Sequence, residues 1–174
     1  SAPVALDLAT VGMDLDPVGL TVLLDGRLIA YDRTTRKIIE LKPTTTRVYP
    51  QGQPTLSGVT LGDGTEAGGF LGPVMAADVE ILDMAQSPDG VLYALATLTS
   101  PPGDMSLIRL SAIDPNVDGV FGAGEGQFLN DGLDVLMTLP ETYAAIVVES
   151  ETTLLALNRS TDAIDRINLS RGTI

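Results

Sequence analysis

The sequence predicts an all-β protein made of antiparallel repeats. Three segments share one order of features, Asp-Gly or similar polar turns separate apolar runs, and the runs that follow alternate between apolar and polar residues. Period-two alternation marks a strand with one buried face, and Asp-Gly between apolar runs marks a hairpin.

The first segment is GLTVLLDGRLIAYDRTTRKIIELKP, residues 19–43. The second is ILDMAQSPDGVLYALATLTSPPGDMSLIRLSAIDP, 81–115, and the third is YAAIVVESETTLLALNRSTDAIDRINLS, 143–170. Each opens with a β-rich run that leads into a turn: Asp25-Gly26, Ser87 to Gly90, or Glu149 to Thr152. A second strand follows as LIAYD, VLYALATL or TLLALN, then a polar connection, then KIIELK, SLIRLSAI or AIDRINL. The stretches 44–78 and 98–142 hold most of the Gly and Pro and read as connections. Residues 72–86 support two readings. Pro73 with apolar residues at 75, 79 and 82 suits a helix start, whereas the SPDG turn that follows favours a strand for the second half.

The wording of these units resembles bacterial β-propeller repeats of the NHL-like and quinoprotein-like kinds. "ILDMAQSPDGVLYAL" resembles their inner-strand hairpin, and "YDRTTRKIIEL" and "NRSTDAIDRINL" resemble their outer-strand turn, with Thr35 and Thr161 in matching places. The resemblance implies a propeller-like arrangement of units at about 11–60, 72–115 and 128–174 within one β-repeat domain, 1–174. The repeat from Asp25 to Asp89 is 64 positions and from Asp89 to Glu151 is 62, longer than a blade of roughly 40–50 residues. Closed propellers have about four to eight blades. Three units therefore imply part of a ring, or a ring completed by a second copy; a β-sandwich or an open barrel is the alternative.

Composition narrows the chemistry. At 174 residues with 44% hydrophobic content the chain can bury a core, and with 4% aromatics and no Trp that core rests on aliphatic side chains. No apolar run reaches the roughly 18–20 residues of a membrane-spanning helix. There is no Cys and no His, which removes thiol and imidazole catalysis and thiolate metal sites. The net charge of -13 is uneven: residues 51–150 contain fourteen acids and one base, Arg109. Such a surface repels nucleic acid and anionic lipid and attracts cations.

One acidic stretch has a spacing that chemistry explains. In DPNVDGVFGAGE, Asp114, Asn116, Asp118, Gly119 and Glu125 satisfy the calcium-loop pattern D-x-[DN]-x-[DN]-G-x5-E. Alternate oxygens converge on a cation that takes six to eight hard ligands, Gly119 supplies the sharp turn, Val120 offers its carbonyl, and Glu125 closes the site. The loop resembles those of EF-hands and dockerins at 114, 116, 118, 119, 121 and 125. It departs from them at Pro115 and Val117 and in its strand-like approach, SLIRLSAI. The expectation is a solitary calcium loop inserted between strands at 114–125, set against a plain Asp-rich turn. LGDGTEAGG, 61–69, lacks the spacing and reads as a turn.

No phosphate-binding loop is present, and Gly122 to Gly126 carries an acid that repels phosphate. Tyr31 and Tyr93 sit at corresponding points of two hairpins and read as repeat core. Arg27, Arg33, Arg36 and Lys37 form a basic patch. It reads as a solvated face or as a docking surface for a protein partner or the acidic portion of a second copy. The functional expectation is a calcium-binding, non-enzymatic β-repeat module for protein or polymer contacts, able to self-assemble. The alternative is part of a propeller-type hydrolase or lyase acting on an extracellular polymer. Ser1-Ala2-Pro3 fits either a chain trimmed by a signal peptidase or an expression-tag scar. Together with the solitary calcium loop it gives the expectation of a secreted, periplasmic or cell-surface location.

Overall fold

The computed structural model describes residues 15–43, 56–61, 74–75, 77, 79–99, 102–110, 120–121, 133–171 and 173–174. These residues form strands and turns and contain no helix. The first sheet runs β1 (Pro17–Val22), β2 (Leu28–Asp32), β3 (Lys37–Pro43) and β4 (Leu56–Leu61) as an antiparallel meander. Short β5 (Val74–Met75) joins β3 at Lys37, and the equally short β9 (Val120–Phe121) runs parallel to β5. The second sheet contains β6 (Val79–Gln86), β7 (Leu92–Thr99), β8 (Pro102–Leu110) and β10 (Leu133–Leu139), in the order β10-β8-β7-β6. The third is β11 (Tyr143–Ser150), β12 (Thr153–Asn158) and β13 (Ala163–Asn168). The sheets are open, so the described strands form no barrel.

The repeated segments account for the first three strands of each sheet. The stretches read as connections hold β4, β5, β9 and β10, which explains why the repeat is so long. The helix reading of 72–86 is corrected: Val74–Met75 and Val79–Gln86 are strands. One extra residue in β6, between Ile81 and Asp83, breaks its alternation and produces the misleading apolar spacing.

The turns repeat as well. Leu23 and Ser87 each donate an N–H across a three-residue loop, to the carbonyls of Arg27 and Val91 at 2.8 and 2.9 Å. Only the glycine of each Asp-Gly pair takes positive φ, 88° at Gly26 and 92° at Gly90. These are thus three-residue loops with a left-handed glycine, not two-residue primed turns. In the outer hairpins Asp32 Oδ2 accepts the Thr35 N–H at 2.9 Å, and Asn158 Oδ1 accepts the Thr161 N–H at 3.2 Å. Arg36 and Asp162 then adopt matching φ of 57° and 55°. Thr35 and Thr161 do occupy matching places.

Cross-strand registers place Leu28, Leu92 and Leu154 opposite Val22, Gln86 and Val148, so the three hairpins superpose position by position. β1 and β6 each contain one bulge residue, and β11 contains two. Alternation then sends two faces of each sheet to two neighbours. Ile29, Tyr31 and Ile38 of the first sheet are buried against Leu92, Ala94 and Ile108 of the second. From its opposite face the second sheet buries Tyr93, Leu95 and Leu107 against Leu154, Ala156 and Ile167 of the third. Tyr31 and Tyr93 are therefore repeat core, on matching faces but two register positions apart.

Each fully buried Leu or Ile stabilises by about 1.5–3 kcal/mol relative to exposure. The half-exposed ion pair Arg33–Glu80, which bridges the first two sheets at 3.1 Å, is worth at most about 1 kcal/mol. Apolar stacking dominates. Backbone contact adds precision: a Cβ at Gly19, where φ is +61°, would lie 3.0 Å from the Asp83 Cα. Gly19 thus lets β1 lie against β6.

Candidate functional site

Of the expected calcium ligands, Asp114, Asn116, Asp118 and Glu125 lie outside the described residues, as does the 61–69 turn apart from Leu61. Val120 is described in backbone only, in β9, where it pairs with Val74. The loop is thus carried between β8 and β10, and its seventh position is a short strand attached to the first sheet. Among the described residues no three His, Cys, Asp or Glu side chains cluster to hold a metal ion.

The described residues bring together two carboxylate sites that the sequence alone does not single out. Asp83 projects from β6, and its Oδ2 accepts the Ile146 N–H of β11 at 2.8 Å, across the boundary between the second and third sheets. Burial pushes its carboxyl above the ordinary 3.8, outweighing the backbone N–H groups of Ile146 and Met84 that favour the anion. The sequence signal was weak: a lone acid between Leu82 and Met84 in an otherwise apolar run.

The second site lies within the third sheet. Asp165 Oδ2 accepts from Asn158 Nδ2 and from the Tyr143 hydroxyl, both at 2.8 Å. The Asn158 bond first, and the Tyr143 bond second, hold the Asp165 carboxyl below its ordinary value. Burial, reinforced by the Asp165 bond and charge, pushes the Tyr143 hydroxyl up to about 12. The tyrosine therefore stays a donor and the aspartate an acceptor at neutral pH, which suits a fixed structural link and not proton transfer.

The basic patch is divided by the fold. Arg33 contacts Asp16 at 3.7 Å and Glu80 at 3.1 Å, so it serves the stack of sheets. Arg27 pairs with Asp25 at 2.8 Å, and the Arg27 backbone N–H is the main cause of the lowered Asp25 carboxyl. Arg36 holds a left-handed turn and accepts the Met75 N–H on its carbonyl. Lys37 pairs with Asp32 and Val74 in the sheet.

Exposed apolar side chains gather on the two outer sheets. On the first sheet they are Leu20, Val22 and Leu24; on the third they are Val147, Leu157 and Ile164. No helix among the described residues is long and apolar enough to cross a membrane. No protein-family model matches the chain, and no curated protein matches it in sequence.

Proposed function

We propose that the chain is a calcium-stabilised β-repeat module that works by contact with a protein or polymer and not by catalysis. In this reading its three sheets are blades of a propeller-like arrangement. The observation that carries it is the repeated stacking order: three meanders with one register, each packed face to face on the next through equivalent positions. The strands that begin the meanders, β1, β6 and β11, lie along one another, as the Leu24 N–H bond to Gln86 Oε1 and the Ile146 N–H bond to Asp83 indicate. Blades of a propeller place their first strands this way around an axis.

Calcium is assigned to Asp114, Asn116, Asp118, the Val120 carbonyl and Glu125, on the spacing of the loop. Its position between two strands of one sheet supports a structural clamp over a helix-opening switch. The reading places the protein outside the cytoplasm, where extracellular modules bind calcium at about 10⁻⁴–10⁻³ M.

Thermal unfolding in calcium and in chelator tests the assignment. An ion that binds only the folded chain at 100 times its Kd stabilises by about 2.7 kcal/mol. For a chain of this size that is a rise of roughly 5–11 °C. Glu125→Gln should remove most of it. Identical melting in calcium and chelator refutes the calcium assignment.

A further inference from the structure

The matched registers let the outer face of the third sheet be compared with faces buried inside the chain. Tyr31 pairs with Ile38, Leu95 with Leu107, and Leu157 with Ile164, at the same place in each hairpin. The first sheet presses Tyr31 and Ile38 on the second, and the second presses Leu95 and Leu107 on the third. All four are 1% or less exposed. On the third sheet the same place is open, with Leu157 46% and Ile164 69% exposed. Val147, 56% exposed, pairs with half-buried Leu155 on the same face. Four apolar side chains from β11, β12 and β13 thus form one strip that solvent reaches.

The charges around the strip are balanced. Arg166, the register partner of Leu155, bonds Glu149 at 2.6 Å. Residues 143–174 hold four acids and three bases, whereas 51–142 hold thirteen acids and one base. A basic partner is drawn to the acidic portion and gains nothing from charge on this strip. A second copy is repelled by the acidic portion and meets little repulsion here. Charge therefore singles out a copy of this chain, and not a basic protein, as the occupant.

We propose that two copies of this chain pair through this strip about a two-fold axis, the third sheet of one lying face to face on the third sheet of the other. In such a contact one surface serves both chains, so no second complementary face is required. Sheets stacked this way interdigitate the side chains of their facing surfaces, which is how Leu95 and Leu107 are already covered within the chain. The gain from covering four apolar side chains per copy is offset in large part by lost freedom of motion, which gives a dissociation constant on the order of 10–100 µM. The inference goes beyond the proposed function and rests on neither calcium nor a propeller ring.

Sedimentation equilibrium from low micromolar to millimolar protein, at low and high sodium chloride, tests it. Wild type should pass from the mass of one chain to that of two and stop there. Salt should strengthen the pair by screening the repulsion between two acidic chains. Leu157→Asp and Ile164→Asp each place a charge in the contact, twice over because of the two-fold axis. Each should weaken it by about tenfold or more, with far-UV circular dichroism unchanged. Leu20→Asp, at a residue 60% exposed on the first sheet, should leave it unchanged. Because the chain has no Cys, Ile164→Cys gives a second readout: a short bis-maleimide should join two copies of this variant and should not join two copies of Leu20→Cys. A monomer at millimolar concentration, growth beyond two chains, a pair weakened by salt, an unjoined Ile164→Cys, or a pair as sensitive to Leu20→Asp as to Leu157→Asp overturns the proposal. A salt-strengthened pair in chelator supports it even where calcium leaves the melting temperature unchanged. A monomer whose melting temperature rises in calcium refutes it and leaves the proposed function standing.

Discussion

Asp83 offers a sharp test of how the sheets are joined. Its Oδ2 holds the Ile146 N–H at 2.8 Å, and a Cβ added at Gly19 would lie 3.0 Å from its Cα. Asp83→Ala removes the acceptor and leaves a part-buried N–H at the boundary, a loss of about 1–3 kcal/mol. For a chain of this length each kcal/mol lowers Tm by roughly 2–4 °C. Asp83→Asn keeps an oxygen for Ile146 and removes the ionisable group. Because burial raises this carboxyl above 3.8 in the folded chain, the folded state binds the proton more tightly than the unfolded state. The stability from that proton is fully present below pH 3.8 and is lost as pH rises through the folded value. At pH 7, then, Asp83→Asn should be at least as stable as wild type, and its advantage should shrink as pH falls toward 3.8. Urea unfolding followed by far-UV circular dichroism at pH 4 and pH 7 measures both effects. An Asp83→Asn protein as unstable at pH 7 as Asp83→Ala would show that the anion, and not the acceptor geometry, holds the sheets.

Gly19→Ala should cost roughly 2–4 kcal/mol in urea unfolding, since it combines left-handed strain with a 3.0 Å approach to the Asp83 backbone; a loss below about 0.5 kcal/mol would contradict the close packing of β1 on β6. Leu95→Ala should destabilise by about 2–5 kcal/mol. Its register counterpart Leu157→Ala should stay within about 0.5 kcal/mol, and equal losses would contradict the difference in burial. Tyr143→Phe removes one of the two bonds that depress the Asp165 carboxyl. That carboxyl contributes stability above pH 3.8 that is lost as pH falls through its folded value. The variant should move the Asp165 carbon-13 titration upward toward 3.8 and weaken the acid dependence of unfolding; an unmoved titration refutes the link.

The candidate sites differ in legibility because their partners lie at different distances along the chain. The calcium spacing from Asp114 to Glu125 is written within twelve consecutive residues, so the sequence displays it whole. Asp32 with Thr35, and Asn158 with Thr161, are similarly local, and the matching turns were visible for that reason. Asp83 and Ile146 are 63 residues apart, and Tyr143 and Asp165 are 22 apart. Nothing in either local stretch announces the other, and the pairing exists only once sheet order is known. The basic run shows the same limit: a run of like charge says nothing of acids delivered by another sheet, and Glu80 reaches Arg33 from the second sheet.

Hairpins were legible for the same local reason, and stacking was not. Alternation in LIAYD, VLYALATL and TLLALN says that each strand has an apolar face, but in these strands both faces are apolar. In β7 the even positions Leu92, Ala94 and Ala96 serve one neighbour, and Tyr93 and Leu95 serve the other. A strand buried on both faces belongs to the middle of a stack of sheets. β12 has the same two-faced composition in Leu154, Leu155, Ala156 and Leu157, yet while Leu154 and Ala156 are buried, Leu155 is only half-buried and Leu157 is exposed. A sequence that carries a middle-layer strand in an outer layer has a face written for burial. Hydrophobic cost alone then favours covering it.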